Sequence, residues 1–135
     1  MSEITHSNYV PENLEEFILI EFELFDTIPY NTQKPDEEQV FFCLGHYTDS
    51  DYVVIKKIVA VDNIAKDKAN TFQVSKEDYD KWSSLLIGIV HTHPTNNSIF
   101  PSDEDVKHIP KDIFGGIYQP ITDHITWWNG YKLNL

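Results

Sequence analysis

A chain of 135 residues, 41% hydrophobic and 24% charged, is long enough for one compact domain with its own core, and ordinary enough in composition to argue against disorder. Its formal charge of −12 opposes phosphate backbones and anionic membrane surfaces, so neither nucleic acid nor membrane is an expected partner. One cysteine, Cys43 in the apolar run QVFFCLG, supports neither a disulfide framework nor a thiolate metal cluster and reads as a small buried hydrophobe.

The N-terminal stretch MSEITHSNYVPEN has no basic or apolar leader pattern, and no apolar run approaches the length of a bilayer span. With the single thiol, this points to a reducing, cytoplasmic setting. The organisation expected is a single domain over residues 1–135, with residues 1–10 as a loose arm. From Asn13 the spacing Leu14, Phe17, Ile18, Glu21, Leu24, Phe25, Ile28 fits an amphipathic helix; the alternation Ile18, Ile20, Phe22, Leu24 makes a strand the rival reading. IPYNTQKPDEE, with two prolines, reads as loop.

Residues 38–47 and 52–61 are rich in β-branched and aromatic side chains and read as two strands of a hairpin turning at TDSD. TFQV (71–74) reads as a short strand. Ser75 is a good N-cap for a helix that places Tyr79, Trp82, Leu85 and Leu86 on one face. The apolar run 85–93 reads as a buried central strand ending at two histidines. Ser102 opens a short helix with acidic residues in its first turn, stopped by Pro110. IFGGIYQ, DHITWW and YKLNL read as three more strands, the last two joined through the type I′ signal Asn129-Gly130. The sum is a mixed sheet flanked by helices, of the α/β or α+β class. Trp82, Trp127 and Trp128 are expected in the core or half-buried on strands.

His91 and His93 carry the chemistry. On a strand, residues two apart share a face, so both imidazoles can aim at one point while Thr92 faces the other way. Asp105, in the first turn of the following helix, can add an oxygen ligand. Two histidines and one aspartate give zinc three protein ligands and leave a fourth position open, the pattern of a catalytic site. A His-x-His pair by itself is a weak signal. Its weight here comes from the buried strand before it, Pro94 after it, and Ser102-x-x-Asp105 at a helix start.

HTHP followed by PSDED resembles the JAMM (MPN-plus) metalloproteases, whose motif is a distant glutamate, then His-Ser/Thr-His-Pro, then Ser-x-x-Asp. The resemblance implies the JAMM/MPN, cytidine-deaminase-like fold. It makes His91, His93 and Asp105 the zinc ligands and Ser102 the motif serine, with Gly88 in the approach strand IGIVHTHP. It also implies a catalytic glutamate seven residues before a glycine, which EQVFFCLG supplies as Glu38 before Gly45, with Glu37 as the neighbour open to confusion. VDN (61–63) and TFQVS are similar to the family's middle section. The likeness spans roughly residues 38–106. The chain departs from the pattern in the loop PTNNSIFP, eight residues between His93 and Ser102 where the family usually has seven, and that leaves Asp103 and Glu104 as alternative oxygen ligands to Asp105.

The resemblance further implies a zinc-dependent peptidase or isopeptidase. Its substrate would be the C-terminal tail of a ubiquitin-like or sulfur-carrier protein joined to an amine, with Glu38 as general base and acid and Ser102 assisting the oxyanion. The chain looks like a bare catalytic core of a minimal prokaryotic or phage type. The competing reading is a non-catalytic interaction module on the same fold, or a phage assembly factor. A DNA-repair-associated relative fits poorly with the acidic charge, and a zinc deaminase would need a Cys-x-x-Cys that one cysteine cannot supply. His6, His46, His108 and His124 match no motif position.

Overall fold

The computed structural model of the chain describes residues 4–8, 19–22, 28–48, 52–94, 98, 100–108 and 113–128. Seven strands and two short helices follow in the order β1 (Thr5–Asn8), β2 (Leu19–Phe22), β3 (Val40–Tyr47), β4 (Tyr52–Val61), α1 (Lys76–Trp82), β5 (Leu86–His91), α2 (Asp103–His108), β6 (Phe114–Gln119) and β7 (His124–Trp128). The strands form one mixed sheet in the order β1-β7-β6-β5-β3-β4-β2. β1/β7, β5/β6 and β2/β4 are parallel; β3/β4, β3/β5 and β6/β7 are antiparallel. This is the mixed sheet with flanking helices that the element order implies. Among the described residues no helix is long and apolar enough to cross a membrane.

The sheet curls far enough that its two edges approach each other: the His6 ring on β1 meets Phe22 on β2 edge-to-face, with centroids 5.8 Å apart. It is therefore a half-barrel, and its two faces hold two separate apolar clusters. The concave side encloses Ile20, Phe41, Cys43, Val53, Ile55, Phe114 and Trp127. The convex side holds Val40, Phe42, Leu44, Leu86, Ile89 and Ile113, against which Phe72, Val74 and Trp82 pack. Strand alternation on β3 assigns odd and even residues to opposite clusters, as a strand buried on both faces requires.

Two bulges tune the curl. Opposite β3, the register jumps from Cys43↔Gly88 to Leu44↔Leu86, so Ile87 is the extra residue, and from Leu44↔Lys57 to Gly45↔Ile55, so Lys56 is. Gly45 lies at this second irregularity, where a Cβ would run into the Val54 carbonyl; a Cβ on Gly88 would press into the Phe114 ring at 2.7 Å. The Tyr47 hydroxyl donates to the Ile87 carbonyl at 3.2 Å, which satisfies a group beside the bulge.

Three expectations are corrected. Residues 1–10 are not wholly a loose arm: Thr5–Asn8 forms β1, tied to β7 in parallel register. Four residues with no hydrophobic alternation give no local signal; the neighbouring strand supplies the hydrogen bonds that order them. Of the helix expected over 13–28, Leu19–Phe22 is instead a strand, the rival reading: it pairs with β4, Ile20 buried and Glu21 exposed, because the open edge of β4 rewards alternation over helical spacing, and Ile28 lies in no helix or strand. TFQV is extended but is no strand: the Asn63 side chain takes the Thr71 carbonyl and the Gln73 N–H, the Ile64 N–H donates to the Gln73 carbonyl at 2.8 Å, and the Thr71 N–H donates to the Asp67 carbonyl at 3.0 Å. The expected Asn129-Gly130 turn and the strand YKLNL lie outside the described residues.

Candidate metal and catalytic site

The site forms where the β3/β5 ladder runs out. Val40 pairs with His91, and beyond them Thr92 N–H donates to the Gln39 carbonyl at 3.0 Å while Gln39 N–H donates to Thr92 Oγ1 at 2.9 Å. Gln39 therefore stands opposite Thr92, and Glu38 opposite His93. By alternation Glu38, Val40, His91 and His93 all face the convex side, while Thr92 faces away, as the sequence implies. Glu38 and His91 are buried, at 6% and 2% exposure, in a sheet centre where charged groups are rarely found without partners.

The donor atoms converge. His91 Nε2 and His93 Nε2 are 2.9 Å apart. Asp105 reaches both, Oδ2 at 2.9 Å from His93 Nε2 and Oδ1 at 3.2 Å from His91 Nε2. Glu38 Oε1 lies further out, 4.0 Å from His91 Nε2. Glu38, His91 and His93 form a group whose ligand atoms all lie within 4.8 Å, a cluster able to coordinate a metal ion. Asp103 and Glu104, the neighbours that the loop length left open as ligands, have exposed side chains.

Ser102 precedes α2. Its Oγ accepts from Asp105 N–H at 3.1 Å, and its own N–H donates to Asp105 Oδ2 at 2.9 Å, a reciprocal capping box with aspartate at the third position. The cap thus aims the Asp105 carboxylate at the histidines. Sequence reasoning missed the rings around His91: Phe72 lies on it with centroids 4.6 Å apart, and Trp128 meets it edge-on at 6.3 Å. Nothing in the spacing of Phe72, nineteen positions upstream, signals that contact.

Electrostatics follow from this crowding. Burial pushes the Glu38 carboxyl up from about 4.5 to about 7; the Asp105 and Asp67 charges push the same way and His93 opposes them. Burial lowers His91 below the ordinary imidazole value despite its bond to Asp105. Burial also acts to lower His93, but the hydrogen bond and charge of Asp105, with the charge of Glu38, lift it above the ordinary value. Asp105, although burial alone would raise it, is held well below the carboxylate range by the bonds from both histidines. With both Nε2–H groups donating to Asp105, the two nitrogens face each other at 2.9 Å with no acceptor between them, a crowding that a cation held by the three groups would relieve. Ligands bonded to zinc at about 2.0–2.1 Å in a tetrahedron stand about 3.3 Å apart, so the 2.9–3.2 Å spacings fit such an ion with small adjustment.

A cavity of about 200 Å³ opens beside His93, lined among others by Tyr30, Pro94, Tyr118, Pro120 and Ile121. It lies beyond the C-terminal ends of the parallel pair β5 and β6, where open sheets commonly bind ligands.

Comparison with known proteins agrees with the architecture. The solution structure of a protein from Desulfitobacterium hafniense is similar over 76% of this chain and 76% of that one, with a TM-score of 0.50 and 16% identity, a likeness that speaks for the fold alone. Comparison with curated proteins finds no match. The family described as Prok-JAB, prokaryotic homologs of the JAB domain, matches residues 28–130, a span that holds Glu38, His91, His93, Ser102 and Asp105. The chain therefore belongs to the Prok-JAB family, the prokaryotic branch of the JAB (JAMM/MPN) domain.

Proposed function

We propose that the protein is a zinc-dependent peptidase or isopeptidase that hydrolyses an amide at the C-terminal tail of a ubiquitin-like or sulfur-carrier protein. The observation that carries this reading is the convergence of His91, His93 and Asp105 within 3.2 Å of one another, with Glu38 buried at their side. Two nitrogens and one carboxylate oxygen suit zinc with one position left open. When bound, zinc would supply a Lewis acid that activates water and polarises a carbonyl.

Glu38 is suited to take a proton from the attacking water and return it to the leaving amine. Its pKa of about 7 lets it act in both directions near neutral pH. At 4.0 Å from His91 Nε2 it stands outside the spacing of the three ligands, which fits a base acting beside the ion more than a fourth ligand. The Ser102 hydroxyl accepts from Asp105 N–H and keeps its own hydrogen for the developing oxyanion. The cavity beside His93 provides a place for the substrate chain next to the scissile bond. The tail itself is inferred from the family.

Elemental analysis of protein purified without added zinc, paired with hydrolysis of a coumarin amide of a peptide ending in Gly-Gly, tests the reading. About one zinc per chain and zinc-dependent release of coumarin are expected. Folded, metal-free protein that binds a partner without cleaving it would replace the enzyme with an interaction module.

A further inference from the structure

Asn63 lies just after β4, outside the metal-binding cluster, and uses every hydrogen-bonding position of its amide. Nδ2 donates to the Glu38 carbonyl at 2.9 Å and to the Thr71 carbonyl at 3.0 Å. Oδ1 accepts from Ala65 N–H at 3.0 Å and Gln73 N–H at 3.1 Å. Two donors and two acceptor positions are the full capacity of a primary amide. All four partners are backbone groups, so the side chain fixes the path of the chain and not another rotamer.

The segments it joins both carry parts of the site. One is the approach to β3, which presents Glu38. The other is the extended stretch before α1, in which Phe72 sits between the two anchored residues Thr71 and Gln73 and lays its ring on His91. Glu38 N–H donates to the Lys68 carbonyl of the same loop at 2.6 Å. Both backbone polar atoms of Glu38 are thus held by residues 63–68, and the loop that holds them also carries the ring covering His91. A change in Asn63 would move the base and the ligand relative to each other without touching either side chain.

We propose that Asn63 is a positioning residue: by tying the Glu38 carbonyl to Thr71 and Gln73, it sets the spacing between the Glu38 carboxyl and the His91 ring. Its consequence for catalysis rests on the function proposed above; the positioning itself is a property of the chain with or without metal.

Asn63→Asp keeps the shape and the acceptor oxygen but loses both donors and turns a carboxylate toward two carbonyls. Asn63→Ser shortens the side chain without adding charge and carries the same test should the aspartate variant fail to fold. The first readout needs neither metal nor activity. The ring current of Phe72 displaces the His91 ring-proton NMR signals; in the Asn63 variants these signals are expected to move toward their positions in Phe72→Leu, while the His124 ring signals stay. The second readout is kinetic, on the zinc-loaded full chain with the Gly-Gly coumarin amide. Asn63→Asp is expected to lower kcat about 10–100-fold with KM within about threefold and zinc content unchanged. In a Glu38→Gln background the same substitution should cost less than about twofold, because the two act as a unit. Unmoved His91 signals in both Asn63 variants, or an equal kcat loss in both backgrounds, would overturn the proposal. A wild-type chain that neither holds zinc nor cleaves the amide removes the functional reading instead, and the NMR comparison then decides the positioning alone.

Discussion

Two regions of the molecule gather histidines, and they solve the imidazole in opposite ways. At the edge of the sheet, His124 on β7 has Nδ1 3.0 Å from Thr5 Oγ1 and Nε2 3.0 Å from Ser7 Oγ, both hydroxyls coming from the parallel partner β1. A hydroxyl can donate or accept, so each ring nitrogen finds a partner within the chain. At the end of the central strand β5, His91 and His93 point their Nε2 atoms at each other and at Asp105, with Glu38 beside them. When both rings donate to Asp105, their two nitrogens still stand 2.9 Å apart with no acceptor between them. The first region is closed on itself and serves to hold β1; the second is open to a cation. Convergence of ligand atoms on one point, more than the presence of histidine, marks the site.

The two regions should respond differently to the loss of one side chain each. Asp105→Ala takes away the oxygen that touches both imidazoles. Zinc content is expected to fall from about one per chain to less than about a tenth, since only two protein ligands remain. Hydrolysis should go with it, while His124→Ala keeps its zinc. An Asp105→Ala protein that retained full zinc would mean that another carboxylate, Glu38 foremost, is the third ligand.

Glu38→Gln separates ligand from base. Zinc should remain, and hydrolysis should drop by about 10²–10⁴, the usual worth of a positioned general base. The same variant has a stability signature in the metal-free chain. The folded Glu38 carboxyl titrates near 7 and the unfolded one near 4.5, so the native state binds the proton more tightly. Stability from this group is full below pH 4.5, is lost as pH rises to 7, and stays lost above it. The loss reaches up to about 3 kcal/mol. Glu38→Gln should therefore melt higher than wild type at pH 8 and alike at pH 4. Equal melting at pH 8 would place the carboxyl in water, not in the buried niche.

Much of this was legible in the sequence because the informative pieces are local. The i, i+2 spacing of His91 and His93 follows from strand geometry, and the Ser102–Asp105 box is written in four consecutive residues. Val40–Tyr47, Tyr52–Val61 and the central strand at 86–91 announce themselves by composition. What was not legible depends on residues far apart. β1 is ordered by His124, more than a hundred positions away, and β2 exists because β4 leaves an edge to pair with. The stacking of Phe72 on His91 depends on a loop held by Asn63, and no period or motif encodes it. Glu38 sits between: its number came from resemblance, and its placement opposite His93 comes from the β3/β5 register.

Metal binding at the His91–His93 site should depend on pH in a defined way. His91 is lowered and His93 raised relative to the ordinary imidazole value of 6.5. Among the three ligands only His93 should therefore carry a proton that competes with zinc in the window just below neutrality, and the Glu38→Gln chain isolates it from the Glu38 proton, which titrates near 7 beside the same site. Apparent affinity is expected to weaken about tenfold per pH unit as pH falls below the raised His93 value, one proton being displaced per ion. Competition of the Glu38→Gln chain against a chromophoric chelator between pH 8 and pH 5.5 measures the slope. A slope of two would show that both imidazoles are protonated in the metal-free site and that burial does not keep His91 neutral.

The smallest effect belongs to the closed region around His124. His124→Ala removes the ring that both Thr5 and Ser7 bond, leaving β1 held by its backbone ladder and by Thr5 N–H donating to the Asp123 carbonyl at 3.0 Å. Thr5 and Ser7 are exposed, so water replaces the lost partner and the cost stays near about 1–2 kcal/mol. The loss should be confined: faster amide exchange along Thr5–Asn8, unchanged exchange in β5, unchanged zinc content. Because β1 and β5 are separated by β7 and β6 in the sheet, loosening the edge has two strands to cross before it reaches the ligands. If His124→Ala nevertheless lowers zinc content, the half-barrel transmits edge order to its centre, and the two histidine regions are one system after all.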